Sequence, residues 1–149
     1  MQTARDLIFT YMKNREEFYC VLLPRVPHEA QRARLTEAVQ PISPDEGELA
    51  SLKDLPEEDP DDFLAGLSLN DALKKPAFGS TWGRTTISIE EALLRSQSIE
   101  KTGAVLFEHL AGLYPSSVSL FLQWLQERKA VLVELLRFDD ELRYHRFSP

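Results

Sequence analysis

The chain is poor in the features that define several large classes of protein. Its only cysteine is Cys20, which excludes an intramolecular disulfide and any multi-cysteine metal site and favours a reducing, cytoplasmic setting. No apolar run approaches the roughly 20 residues that a bilayer requires. The first residues carry charges throughout and no small-residue cleavage site, so we expect no signal peptide.

An excess of positive charge is also missing. There are 17 Lys and Arg residues against 24 Asp and Glu, giving a net charge of −7. Nucleic-acid binding needs a basic surface that neutralises phosphates, and attachment to anionic lipids needs basic clusters. The charge therefore argues against both kinds of partner.

Motifs for common chemistries are absent as well. The sequence contains no Gly-rich phosphate loop and no serine-nucleophile motif. The histidines, His28, His109 and His145, are far apart in sequence, so a surface position is favoured over metal ligation for His109. The acidic run at 57–62 lacks the spacing of a calcium loop.

Amphipathic helical patterns are what the sequence does contain. With 149 residues, 43% of them hydrophobic, the chain suits one domain. We predict an all-α fold with one helix pair over 3–40, a crossover over 41–87, a second pair over 88–138 and a tail over 139–149. Prolines end the early helices, and Ser88 with Glu91 forms a capping box that opens the third helix.

Each predicted helix has a stripe of residues with helical spacing that we expect to face the core. In the first helix these are Ala4, Ile8, Tyr11, Phe18 and Leu22, and in the second Ala30, Ala33, Leu35, Ala38 and Val39. In the third they are Ile89, Leu93, Ser96, Glu100, Gly103, Phe107 and Leu110. The fourth helix has two adjacent rows, which predicts a core face beside a partner surface: Leu122, Leu125, Leu132 and Leu136; and Phe121, Trp124, Val131 and Leu135.

The segment 88–138, together with the order of two helices, crossover, two helices, resembles the rubrerythrin-type, ferritin-like proteins. The resemblance implies a four-helix bundle with one long crossover. It also implies a di-iron site of inward-facing carboxylates and histidines, with a Glu six residues before an aromatic pair and Glu-x-x-His in the alternate helices.

Most of these ligands are missing from the positions that the resemblance assigns to them. Glu100 stands six residues before Leu106-Phe107 and is retained, whereas Met12 stands at the matching position before Phe18-Tyr19. The Glu-x-x-His positions fall on Lys129 and Leu132 in the fourth helix, and on Glu37 and Gln40 in the second. Too few carboxylates remain for a di-iron centre, so we predict no metal.

Glu100 lies on an otherwise apolar stripe, where an unpaired charge would be costly. Arg15 lies on the matching stripe of the first helix, and Lys129 occupies a ligand position. We therefore predict that Arg15 or Lys129 supplies the positive charge that a metal would otherwise supply, in an internal ion pair with Glu100.

The favoured functional prediction is a metal-free binding protein. We expect its partner to be a second copy or another protein, bound through aromatic residues that include Trp82, Phe121, Trp124 and Phe138, with Tyr144 and Phe147. One alternative is a metal-dependent oxidoreductase with iron or manganese on rearranged ligands drawn from Glu37, Glu100, Glu17, His109 and Glu134. Another is a cavity for a small apolar ligand lined by Met12 and Gly103.

Overall fold

The structure, a computed structural model, describes residues 4–43, 47 and 86–144. Within those residues the only regular secondary structure is helical, which confirms the predicted all-α class. The helices are α1 (Ala4–Leu22), α2 (Glu29–Val39), α3 (Ile89–Leu113) and α4 (Val118–Arg143), with short 3-10 turns at Leu23–Arg25 and Pro115–Ser117. The predicted crossover over 41–87 lies largely outside the described residues.

Helix α1 presents its predicted stripe to the core. Ala4, Ile8, Tyr11, Phe18 and Leu22 are all buried, as their spacing of three and four requires. Pro24 stands within the 3-10 turn that follows the helix, where a continuing α-helix would lose a backbone hydrogen bond.

Helix α2 is rotated relative to the prediction. Leu35, Ala38 and Val39 are buried as expected, but Ala30 and Ala33 are exposed and Gln31 is buried instead. The prediction for the two alanines was wrong because alanine tolerates both faces of a helix and carries little information about which one is buried.

Helix α3 begins at its predicted cap. The Ser88 hydroxyl accepts a hydrogen bond from the backbone N–H of Glu91 at 3.2 Å. The Glu91 carboxylate accepts from Arg95 Nε at 2.7 Å. All seven residues of the predicted α3 stripe are buried.

Helix α4 runs to Arg143, so it includes the first residues of the predicted tail. Its two apolar rows have different environments. Phe121, Trp124, Val131 and Leu135 are all buried. In the other row Leu122 and Leu136 are about half exposed, at 45% and 54%, whereas Leu132 is half-buried and Leu125 is buried.

The buried apolar residues form two clusters, one at each end of the molecule. One combines the first half of α1 with the second half of α3 and the first half of α4. The other combines the second half of α1 with α2, the first half of α3 and the second half of α4. Helix α1 therefore runs antiparallel to α3 and parallel to α4.

None of the described helices combines the length and apolar character that a membrane span requires.

Candidate functional site

A layer of buried polar residues separates the two apolar clusters. Arg15 of α1, Glu100 and Ser96 of α3, and Arg128 of α4 are all buried. Each continues the inward-facing stripe of its own helix, so the helical period itself turns these charges toward the core. Buried charges are rare unless they are paired, which makes this layer the candidate site.

Arg15 and Glu100 form the central ion pair. Arg15 Nε donates to Glu100 Oε1 at 2.7 Å, and the two side chains are 4% and 0% exposed. The Tyr19 hydroxyl donates to the same oxygen at 2.8 Å. Oε1 therefore accepts two hydrogen bonds, one of which is charge-assisted and correspondingly strong.

Arg128 approaches the other oxygen of Glu100. Its Nη1 lies 3.2 Å from Glu100 Oε2, and its side chain is 8% exposed. The contact lacks hydrogen-bond geometry, because neither Glu100 Oε2 nor Arg128 Nε has a hydrogen-bond partner among the described residues. Two guanidinium groups thus flank one carboxylate, and the buried cluster has one positive charge in excess.

Arg15 also holds the end of α2. Its Nη2 donates to the backbone oxygen of Val39 at 2.6 Å, and its Nη1 donates to those of Pro41 and Ile42 at 2.8 and 3.2 Å. The last carbonyls of a helix lack partners within it, and a cation there is favourable. One guanidinium therefore joins α1, α3 and the C-terminus of α2.

The environment of the layer shifts the protonation equilibria of its tyrosines. Burial raises the pKa of Tyr19 well above its ordinary value, and the negative charge of Glu100 raises it further. Burial and Glu100 also raise the pKa of Tyr11. Burial, the largest single effect, would lower the pKa of Arg15, but the charge of Glu100 and its hydrogen bond, together with the electrostatic effects of Tyr19 and Tyr11, outweigh it, so the pKa of Arg15 is raised.

The predicted cation of α4 was the wrong residue. Lys129 is exposed, and the neighbouring Arg128 contacts Glu100. Arg128 was missed because the ligand positions were placed by the resemblance to ferritin-like proteins and not by the helical period. The signal was present in the sequence, since Arg128 lies four residues after Trp124 and three before Val131, on the buried row.

The other assigned metal positions do not converge on Glu100. Met12 lies beside the layer and is partly buried, and Leu132 is half-buried on α4. Glu37 and Gln40 are exposed and line a separate surface groove that shares no residue with the layer. Glu134 contacts Arg34 and Arg137, and His109 is exposed.

Candidate metal ligands are not clustered in the parts of the chain that the structure describes. No group of three or more His, Cys, Asp or Glu residues lies close enough together there to hold an ion. The excess positive charge around Glu100 would in addition repel a cation.

The predicted partner surface had four principal residues, of which three lie in the described part of the chain. The prediction was wrong for all three. Phe121, Trp124 and Phe138 are at most 1% exposed and belong to the core. These large aromatic side chains fill the space between the helices and do not form an exposed surface. Trp82 and Phe147 lie outside the described residues, and Tyr144 is exposed.

Gly103 does not line an open cavity, as one alternative expected. The ring of Tyr11 fills that space, so that a Cβ built on Gly103 would lie 2.8 Å from Tyr11 Cε1 and closer still to the hydroxyl. The Tyr11 hydroxyl donates to the backbone oxygen of Ile99 at 3.0 Å. The glycine is needed here because the ring of α1 contacts the backbone of α3.

A small cavity does lie beside the charged layer. Its volume is about 110 Å³, and its lining includes Arg15, Arg128, Tyr11, Met12, Phe107 and Trp124. This exceeds the ~15 Å³ that one water needs but falls below the roughly 300 Å³ at which sites for drug-sized ligands begin. Any ligand bound there would have to be small.

Comparison with known proteins adds no relationship to these observations: no protein-family model, no curated protein and no solved structure matches this chain.

Proposed function

We propose that the chain is a non-catalytic binding protein with ferritin-like helix connectivity, in which an Arg15–Glu100–Arg128 cluster takes the place of a metal site. The observation that carries this proposal is the pair of buried guanidinium groups on one buried carboxylate. The order and directions of the four described helices, with α1 antiparallel to α3 and parallel to α4, support the connectivity. The Arg15 guanidinium supplies the positive charge that iron or manganese would supply in a ferritin-like site.

The cluster is better suited to holding helices than to catalysis. Glu100 Oε1 already accepts from Arg15 and Tyr19, and three of the Arg15 hydrogen bonds hold the end of α2. General acid–base work needs a carboxylate or imidazole within reach of a substrate proton. In this layer both oxygens of the only buried carboxylate face arginines.

The binding partner that we propose is a second copy of the chain, bound through the outer face of α3 and α4. Leu94 and Leu136 are 62% and 54% exposed, and both line a surface groove of about 390 Å³ between the two helices. Glu90 and Asp139 with Arg143 line the same groove. A face that carries both signs of charge around apolar residues can pair with itself across a two-fold axis.

Sedimentation velocity over a range of protein concentrations tests this proposal. We expect wild type to dimerise and Leu136→Glu to remain monomeric, since a carboxylate would be buried in the apolar contact. Phe9→Glu is the matched control, because Phe9 is also about half exposed, at 49%, but lies on α1. A monomeric wild type, or equal dissociation by the two variants, would contradict a dimer through α3 and α4.

A further inference from the structure

We propose that the cavity beside the charged layer binds a small monocarboxylate, with the carboxylate on Arg128 and a short carbon chain against the apolar wall. This goes beyond the proposed protein-binding role, because it uses the interior of the molecule and not the outer face of α3 and α4.

The first argument is the charge of the buried cluster. Glu100 is the only buried carboxylate among the described residues, and it faces the two buried arginines Arg15 and Arg128. The cluster therefore carries one positive charge more than its protein counter-charge. A single anionic group would complete it, since buried charges are stabilised chiefly by pairing.

The second argument is the hydrogen bond that Arg128 does not make. Arg128 is 7% exposed and lines the cavity, yet its Nε finds no acceptor in the described part of the chain. The hydrogen bonds of Arg15, by contrast, go to Glu100 and to three backbone carbonyls. The Nε atom is itself shielded from solvent, so a ligand carboxylate would meet the part of the Arg128 guanidinium that lines the cavity, and a carboxylate matches planar N–H groups.

The apolar residues that line the cavity favour a hydrocarbon chain as the non-ionic part of the ligand. Met12, Phe107 and Trp124 line the cavity together with Ile42, so the non-ionic part of the ligand should be hydrocarbon. A volume of about 110 Å³ admits a short chain and excludes a fatty acid.

Glu127 also lines the cavity and bears on the charge argument. It is half-buried, and its carboxylate lies 3.5 Å from Gln123 Nε2 in an exposed contact. Within the described residues no ion pair joins it to Arg15 or Arg128. Solvent screens a charge in that position far more than it screens the buried cluster, so Glu127 does not replace the missing buried anion.

The test is a titration of the full-length, ¹⁵N-labelled protein followed by NMR, reading the Arg128 Nε–H and Trp124 indole N–H signals. The probe is sodium butyrate at constant ionic strength, and butyramide is the uncharged probe of the same shape. We expect saturable shifts with butyrate and binding of butyramide that is about tenfold or more weaker, because hydrogen bonds to a charged acceptor are the stronger ones. Shifts that do not saturate, or equal affinity for the two probes, would overturn the proposal.

Two variants and one control locate the binding. Arg128→Gln should abolish the butyrate-induced shift of the Trp124 indole N–H signal, and Lys129→Gln, which removes the same charge at the exposed neighbouring position, should preserve it. Because Arg128→Gln can also weaken folding, Met12→Phe provides a second variant that fills the cavity without touching the ion pairs, and it should also abolish binding. Equal losses in Arg128→Gln and Lys129→Gln, or full binding in Met12→Phe, would place the anion elsewhere and refute the site.

Discussion

Glu100 of α3 interacts with side chains of two other helices, α1 and α4. Its carboxylate accepts hydrogen bonds from Arg15 and Tyr19 of α1 and forms an ion pair with Arg128 of α4. A buried ion pair is weak evidence for net stability, since desolvation opposes the attraction, but the loss of one partner leaves the others uncompensated. We therefore expect the loss of Glu100 to destabilise the fold far more than the loss of one exposed charge would.

Replacing Glu100 tests this directly. Glu100→Ala should lower the free energy of unfolding by about 3–5 kcal/mol, because two arginines would remain buried without their counter-charge. Glu100→Gln should cost less, since an amide oxygen can still accept from Arg15 and Tyr19. Urea denaturation measures both, with Arg95→Ala as a control that removes an exposed ion pair with Glu91 and should cost less than about 1 kcal/mol. An unchanged midpoint in Glu100→Ala would refute the role of the cluster.

The buried tyrosines predict a sensitivity to alkali. The pKa values of Tyr11 and Tyr19 are raised in the folded protein, whereas in the unfolded chain they stay near the ordinary ~10. The folded state therefore holds its phenolic protons at pH values where the unfolded state releases them. The stabilisation is complete below pH ~10 and is lost as the pH rises toward the folded-state pKa.

The double variant Tyr11→Phe/Tyr19→Phe should remove this dependence. Its urea midpoint should fall less steeply than that of wild type between pH about 9 and about 11, although the variant is less stable at neutral pH because the hydrogen bond to Glu100 is lost. Parallel declines for the two proteins would show that neither tyrosine contributes.

The helical period predicted which charged residues face the core better than the resemblance to ferritin-like proteins did. The period placed Arg15 and Glu100 on inward-facing stripes, and the structure places both in the charged layer. Arg128 has the same helical spacing, but the resemblance assigned a ligand position to Lys129, which is exposed. The choice of carbonyls that Arg15 reaches on α2 depends on tertiary placement, and no local pattern encodes it.

Helices α1 and α3 approach each other closely at Gly103. The Tyr11 ring occupies the space over Gly103, and it also packs edge-on against Phe107 with ring centroids 5.7 Å apart. The spacing of these two helices therefore depends on the absence of a side chain at one position.

Two glycines of α3 give a matched pair of variants for this contact. Gly103→Ala should destabilise the protein by about 1–3 kcal/mol, because the new methyl group collides with a buried ring that has little room to move. Gly112→Ala lies on the same helix with nothing near its Cβ, and should be neutral or stabilising by up to about 1 kcal/mol. Thermal denaturation compares the two, and a Gly103→Ala protein as stable as wild type would mean that the two helices are farther apart than described.

The helices themselves were more predictable than their environments. Proline positions and the Ser88 cap gave the ends of α1 and α2 and the start of α3 to within a few residues, whereas α4 continues past the predicted boundary at 138 to Arg143. Which of the two apolar rows of α4 is buried could not be read from the row itself. Both rows have the same period, and only the position of α1 and α2 around α4 decides that Leu136 is exposed while Leu135 is buried.

The whole molecule consists of two apolar clusters with a layer of charge between them. The proposed function rests on the position of this layer, where two arginines and one carboxylate are buried together.

Metal content is the measurement that tests this central claim most directly. Full-length protein purified without chelator would be analysed by elemental mass spectrometry before and after anaerobic loading with iron(II) and with manganese(II). The account predicts metal far below one ion per chain in wild type and no gain of thermal stability on loading. One or two ions per chain, lost in Glu100→Ala but retained in the control Glu91→Ala, would contradict it and show that the site still binds metal.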